Sequence, residues 1–438
     1  MFNKIFGFSQ HLCEKLYNNS LILQNLDSLI LISILAVFIS STFAQSETIG
    51  IFAIIATLLT FVKLLVKPDE KLTCCKFEYF LLAYFMLVII SLAGSSLFYL
   101  SLKGFFKILI YLGFYISLVQ YLKNNKDKTL WIIFTIAGCV AFETLNGLLQ
   151  TVIRPEAIST WQDTSYLNPE DIINRVYGTL KPYNPNLFGG YLVATIPSLL
   201  ALVAFSFYKN SYKLTLSMGI ILLLSAYVLL QTGCRGAYLG IFAIFVTFTI
   251  LCGKLVWHKY KQLFLTIIGS LTALGTLFIL SISSLRSRIF SIFLMRADSS
   301  NSFRFNVYNS CLEMLKDNWL LGIGLGNQNF RETYGLYMKT GFDALSAYNI
   351  YLETAVESGI FALICFVIFL ALAIYQAYRF ITTTQNKTAL ILNGVALLTI
   401  IGLMVHGLVD TVFFRPQIHF IFWTMIAIIK IYDETENV

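Results

Sequence analysis

Residues 357–378 read ESGIFALICFVIFLALAIYQAY, and from Ser358 to Tyr378 there is no charged side chain. An α-helix rises about 1.5 Å per residue, so about 20 apolar residues span the roughly 30 Å hydrocarbon core of a bilayer. Working outward, similar runs recur near 26–44, 48–66, 79–98, 104–122, 130–153, 187–206, 214–231, 236–252, 262–283, 388–407 and 411–432. The sequence therefore predicts an all-α polytopic membrane protein with about twelve transmembrane helices.

Bulk composition agrees. Hydrophobic residues make up 57% of the 438, charged residues only 12%, and mean hydropathy is +0.75. A soluble domain carries about 25% charged residues, so lipid must be the solvent for most of this chain. The net charge of +8 does not point to nucleic acid, because the basic residues sit in short clusters between apolar runs. With the N-terminus inside, the cytoplasmic connections carry Lys63, Lys67, Lys71 and Lys76, then Lys123, Lys126 and Lys128. Further on they carry Lys209, Lys213, Lys254, Lys259, Lys261, Arg379 and Lys387, which places both termini in the cytoplasm.

Two outer connections are long, about 154–186 and about 284–356. The chain thus divides into nine spans within 1–283, a large extracytoplasmic helical loop over 284–356, and three spans with a cytoplasmic tail over 357–438. The large loop holds Phe303, Phe305, Trp319, Leu320, Phe330, Tyr334 and Tyr337, enough apolar material to pack as short helices. The eight cysteines form no disulfide framework, and the scattered His11, His258, His406 and His419 show no metal-ligand spacing.

Arginine collects on the outer side, against the inside-positive bias. Arg235 lies in TGCRGAYLG (232–240), flanked by Gly233 and Gly236, which let a ligand approach the backbone. A membrane-edge guanidinium is a functional candidate, since it stays charged and grips phosphate bidentately. Arg304 follows a serine-rich helix start, where free N–H groups attract anions. Arg286, Arg288 and Arg296 read as headgroup anchors. The glycines of GIGLGN (322–327) read as a backbone bend. In SAYNIYLETAVESG (346–359), helical spacing puts Asn349, Glu353 and Glu357 on one face, either a polar seam or part of a site. Asn184 and Asn186 precede a span, together with Gly189 and Gly190, where close packing or ligand contact would need them. His406 and Asp410 sit at the outer end of the eleventh span.

In this order, NPNLFGGYL (184–192), TGCRGAYLG, SFRFNVY (302–308), GIGLGN, YNIYLETAVESGI (348–360) and HGLVD (406–410) resemble the O-antigen ligase and polymerase superfamily of membrane glycosyltransferases. The resemblance runs from about residue 174 to 424, and LYMKTGFDALSAYNIYLE (336–353) looks most like a cyanobacterial branch labelled an inorganic-carbon transporter. It implies a GT-C-like, twelve-span fold in the bacterial inner membrane. It also implies inverting transfer of a glycan from undecaprenyl pyrophosphate to a hydroxyl of an acceptor glycolipid or protein, with no metal or cofactor. In that family two arginines hold the pyrophosphate, and they match Arg235 and Arg304 here. Asn184, Asn186, Asn349, His406 and Asp410 would complete the substrate site. The family's proposed catalytic histidine is Tyr348 in this chain, and tyrosine, titrating near 10, is a poor base at neutral pH. Tyr348 would therefore donate a hydrogen bond, with Glu353 or Asp343 as the base. The alternatives are a transporter of bicarbonate or another small anion, and a non-catalytic scaffold of envelope assembly.

Overall fold

A computed structural model describes residues 20–66, 74–153, 174–293 and 299–433. Lys67, Lys71, Arg296, His11 and positions 154–173 of the first long loop fall outside them. The described chain is helical, with no strand among its residues. Eight membrane-length or near-length helices lie before the large loop: α1 (Leu26–Ser41), α2 (Ser46–Val66), α3 (Lys76–Gly94), α4 (Phe98–Asn124), α5 (Thr129–Ile153), α6 (Pro185–Tyr208), α7 (Tyr212–Gln231) and α8 (Arg235–Ser281). The loop carries α9 (Ser283–Phe290), α10 (Ser299–Asp317), α11 (Asn327–Tyr334) and α12 (Ile350–Ser358). Then come α13 (Ile360–Thr383), α14 (Lys387–His406) and α15 (Pro416–Asp433).

Nine of the described helices are long and apolar enough to cross a membrane, and α1 and α15 are shorter apolar helices. The 47-residue α8 counts twice. Tyr260 leaves helical geometry within it, and a Cβ on Gly253 would lie 3.3 Å from the Phe264 ring. In a straight helix those positions stand about 16 Å apart, so the chain folds back at the Lys254–Lys261 cluster. The membrane-type segments among the described residues then number twelve. Large apolar side chains such as Leu58, Phe61, Leu149, Leu223, Phe242 and Leu274 point outward, a surface suited to lipid.

The tenth span differs from its reading at 357–378. It begins after Gly359, whose φ of +85° ends α12 and starts α13. A Cβ there would sit 2.2 Å from the Leu320 carbonyl oxygen, so only glycine permits the break. Asn349 is not one helical face with the two glutamates either; it is the N-cap of α12.

The centre of the bundle is α6, buried along most of its length against α5, α7, α8, α14 and α15. Close approach depends on small residues. Gly240 faces the Gly402 carbonyl oxygen, and Thr399 of α14 donates to the Ala194 carbonyl at 3.2 Å. An ion pair with both partners buried lies inside the bundle: Lys430 Nζ meets both carboxylate oxygens of Glu78 at 2.6 and 2.7 Å, and the Tyr115 hydroxyl donates to the same group. The loop helices enclose a small core of their own, including Val307, Cys311, Met314, Phe330, Tyr334 and Val356. The GIGLGN stretch seats that unit on the bundle. Gly322, Gly324 and Gly326 all take positive φ, Ser95 donates to the Ile323 carbonyl, and Leu325 N–H donates to Ser101 Oγ.

Candidate functional site

Between the loop helices and the ends of α6 and α8 lies a cavity of about 370 Å³. Arg175, Asn186, Cys234, Arg235, Arg288, Ser300, Phe303, Arg304 and Tyr348 line it, with no acidic residue among these described walls. A smaller cavity of about 160 Å³ adjoins it and shares Arg235 and Arg304. The two arginines singled out in the sequence therefore face one space, and Tyr348 faces it with them.

Each arginine is set by backbone that the sequence bends locally. Gly233 takes a φ of +61°, which lets Cys234 cap α8 and puts Arg235 in its first turn. Arg235 Nη1 donates to the carbonyl and hydroxyl oxygens of Ser291, both at 3.3 Å. Arg288 Nε donates to the Gly233 carbonyl at 2.8 Å. Arg175 Nε donates to the Thr232 carbonyl at 2.7 Å, and its Nη2 donates to Asn186 Oδ1. The Arg175 segment is held in turn by α5: Glu143 accepts from the Thr179 amide, and Gln150 from the amides of Tyr177 and Gly178. Arg304 rises from the first turns of α10, its guanidinium 5.9 Å from the centre of the Tyr348 ring and 4.0 Å from Asp410 Oδ2.

Tyr348 sits at a φ of +51°, its ring edge-on to Phe303 at 5.9 Å. Partial burial and the charge of Asp410 push its phenol above the ordinary value near 10, and Arg304 opposes this only in part. The phenol stays protonated at neutral pH, fit to donate a hydrogen bond and unfit to accept a proton.

The remaining expected residues fall in two groups. Asn186 lines the cavity, while Cys234 brings His406 and Asp410 to its wall from behind. Asn184 and Asn349 do not line it: each caps a helix, accepting from the amides of Asn186 and Leu187, or of Tyr351 and Leu352. Asp343 is exposed and paired with Arg331 at 2.9 Å. Glu353 accepts from the Ala347 amide at 2.9 Å and lines a separate cavity with Glu357 and Lys107. Neither carboxylate that the sequence suggested as base reaches the arginines.

The glycines have packing reasons. A Cβ on Gly236 would lie 2.5 Å from the His406 ring, one on Gly190 would lie 2.9 Å from that ring, and one on Gly189 would lie 2.9 Å from Cys234 Cβ. Gly236 thus makes room for an imidazole rather than for an approaching ligand. Sequence reading gave Arg175 no role and made Arg288 a headgroup anchor, yet both line the cavity. The one signal for Arg175 was its charge on the lysine-poor side.

Residues 220–367 match the family model for O-antigen ligase, about a third of the chain, including Arg235, Arg304 and Tyr348. The match supports the superfamily without reaching down to the inorganic-carbon transporter branch. No curated protein matches the chain.

Proposed function

We propose that this chain, with its O-antigen ligase segment, is an inverting membrane glycan transferase whose arginine-lined cavity receives the diphosphate of a polyprenyl-diphosphate-linked glycan. The observation that carries this reading is the convergence of Arg235 and Arg304 with Arg175 and Arg288 on one space. The acceptor hydroxyl of a glycolipid or protein attacks the anomeric carbon from the face opposite the diphosphate. The bond from that carbon to the diphosphate breaks, its electron pair leaves on the phosphate oxygen, and the proton of the acceptor hydroxyl passes to the departing diphosphate or to water. Negative charge grows there, where fixed guanidinium groups lower the barrier without reorganising. A cavity of this size accommodates a diphosphate and the sugar next to it. Tyr348 donates a hydrogen bond to a phosphate or sugar oxygen. The loop helices lie on the outer face of the bacterial inner membrane, with both termini in the cytoplasm.

The test is lipid mass spectrometry of a strain lacking the gene, complemented with wild-type or Arg304→Gln protein. Accumulation of polyprenyl-diphosphate glycan in the deletion and the Arg304→Gln strain, cleared by wild type, is the expected result. No accumulation in either strain would overturn the transferase reading.

A further inference from the structure

Cys234 lies 172 residues before His406, and Asp410 follows His406 by four. Yet a thiol sulfur, an imidazole nitrogen and a carboxylate oxygen from the three lie within 4.8 Å of one another. All three side chains are buried. We propose that Cys234, His406 and Asp410 form a binding site for a soft divalent cation of the zinc class, in the wall of the arginine-lined cavity.

The donor set suits such an ion. Thiolate, imidazole and carboxylate are the ligand types zinc takes, and three protein ligands with one open position is the arrangement of a reactive zinc site. Bond lengths of about 2.3 Å to sulfur and about 2.0 Å to nitrogen imply a sulfur-to-nitrogen separation of roughly 3.5 Å around a tetrahedral ion. Cys234 Sγ and His406 Nε2 stand 3.8 Å apart. Those two atoms need little movement, and the Asp410 oxygen closes in from within 4.8 Å.

The mounts are rigid. Cys234 is fixed between Gly233 and the first turn of α8. The His406 ring lies in a slot left by the missing side chains of Gly236 and Gly190. Asp410 Oδ1 accepts from the Thr411 and Val412 amides at 2.7 and 3.2 Å, which leaves Oδ2 for another partner. That partner is Arg304 at 4.0 Å, beyond hydrogen-bonding distance. Binding converts the Cys234 thiol to a metal-bound thiolate and releases its proton, and thiolate and carboxylate together balance the ion's two charges. Cys234 is the member that lines the cavity, so the open position would face the space proposed for a phosphate oxygen. The inference does not depend on glycan transfer, because metal content is read without substrate.

Full-length protein, purified in detergent through a tag without histidines, is exposed to zinc, freed of excess, and analysed for bound metal. Cobalt then replaces zinc for spectroscopy. The site predicts about one zinc per chain, four-coordinate cobalt bands and a thiolate-to-cobalt charge-transfer band. Cys234→Ser removes that band and weakens metal binding by at least about tenfold, while eluting as wild type does. Cys252→Ser, at a cysteine in the α8 hairpin, leaves both unchanged. Arg304→Gln, which removes the competitor for Asp410, tightens the metal. Wild type without stoichiometric metal, or a cobalt spectrum identical in Cys234→Ser, would overturn the proposal and show Asp410 to be a counter-ion for Arg304 alone.

Discussion

Two of the places where the described residues bury charge do so differently. Inside the bundle, Lys430 meets Glu78 at 2.6 Å, with Tyr115 on the same carboxylate, a cation closed off by its own anion. In the cavity under the loop, four arginines line one space, and the carboxylate measured nearest Arg304 is 4.0 Å away. A cation matched by a carboxylate inside apolar surroundings holds helices in register. Several cations turned toward one open space are, as proposed above, a seat for an anion that comes from elsewhere. Proximity to the membrane does not separate the two cases; whether the guanidinium groups share an opening does.

The largest expected effect is on the closed pair. Lys430→Met leaves Glu78 as a buried carboxylate without its cation and should cost about 3–5 kcal/mol of stability. Thermal unfolding of the purified protein would show it as a large fall in midpoint, and an unchanged midpoint would erase the distinction drawn here. The open site should behave the other way. Arg235→Lys keeps the charge and loses the planar fork, so it should weaken diphosphate binding by about tenfold or more while the unfolding midpoint stays near wild type.

A titration sharpens the comparison further. Burial, helped by the charge of Glu357, raises the Glu353 carboxyl well above its ordinary value near 4.5. A carboxyl that binds its proton more tightly when folded contributes stability that is fully present below the ordinary value. That contribution is lost as pH rises through the raised one. Acidifying from neutral pH should therefore stabilise the protein, and Glu353→Gln should flatten the slope without weakening diphosphate binding. The smallest effect belongs to the surface: Asp343→Asn breaks an exposed pair with Arg331 and should change stability by less than about 1 kcal/mol and transfer not at all. Loss of transfer in that variant would return Asp343 to the list of candidate bases.

Much of the fold was legible because a bilayer demands long apolar runs, and those runs are local. The α8 hairpin was read as two spans for the same reason, its lysines marking the turn. Arg235 and Arg304 were legible as arginines at the lysine-poor ends of the spans. Arg288 carried the same local signal as Arg286, and nothing in sequence separates an anchor from a wall of the cavity; the bond from Arg288 to Gly233 does. Arg175 becomes a site residue only through Asn186 and Thr232, which the fold brings beside it. Asn184 and Asn349 each stand one residue before a helix, a capping position that the resemblance to ligases turned into a substrate contact. His406 and Asp410 were legible as a pair four residues apart, but nothing in sequence joined them to Cys234, which helix packing makes their neighbour.

The most direct measurement is the affinity of the full-length protein in nanodiscs for undecaprenyl diphosphate and undecaprenyl monophosphate, in wild type, Arg235→Lys, Arg304→Gln and Lys430→Met. A shared arginine cavity predicts that wild type prefers the diphosphate and that each arginine variant loses this preference. The folded fraction of Lys430→Met should keep it. Equal affinity for the two lipids in wild type, or a diphosphate preference untouched by both arginine substitutions, would contradict the assignment of this cavity to a diphosphate.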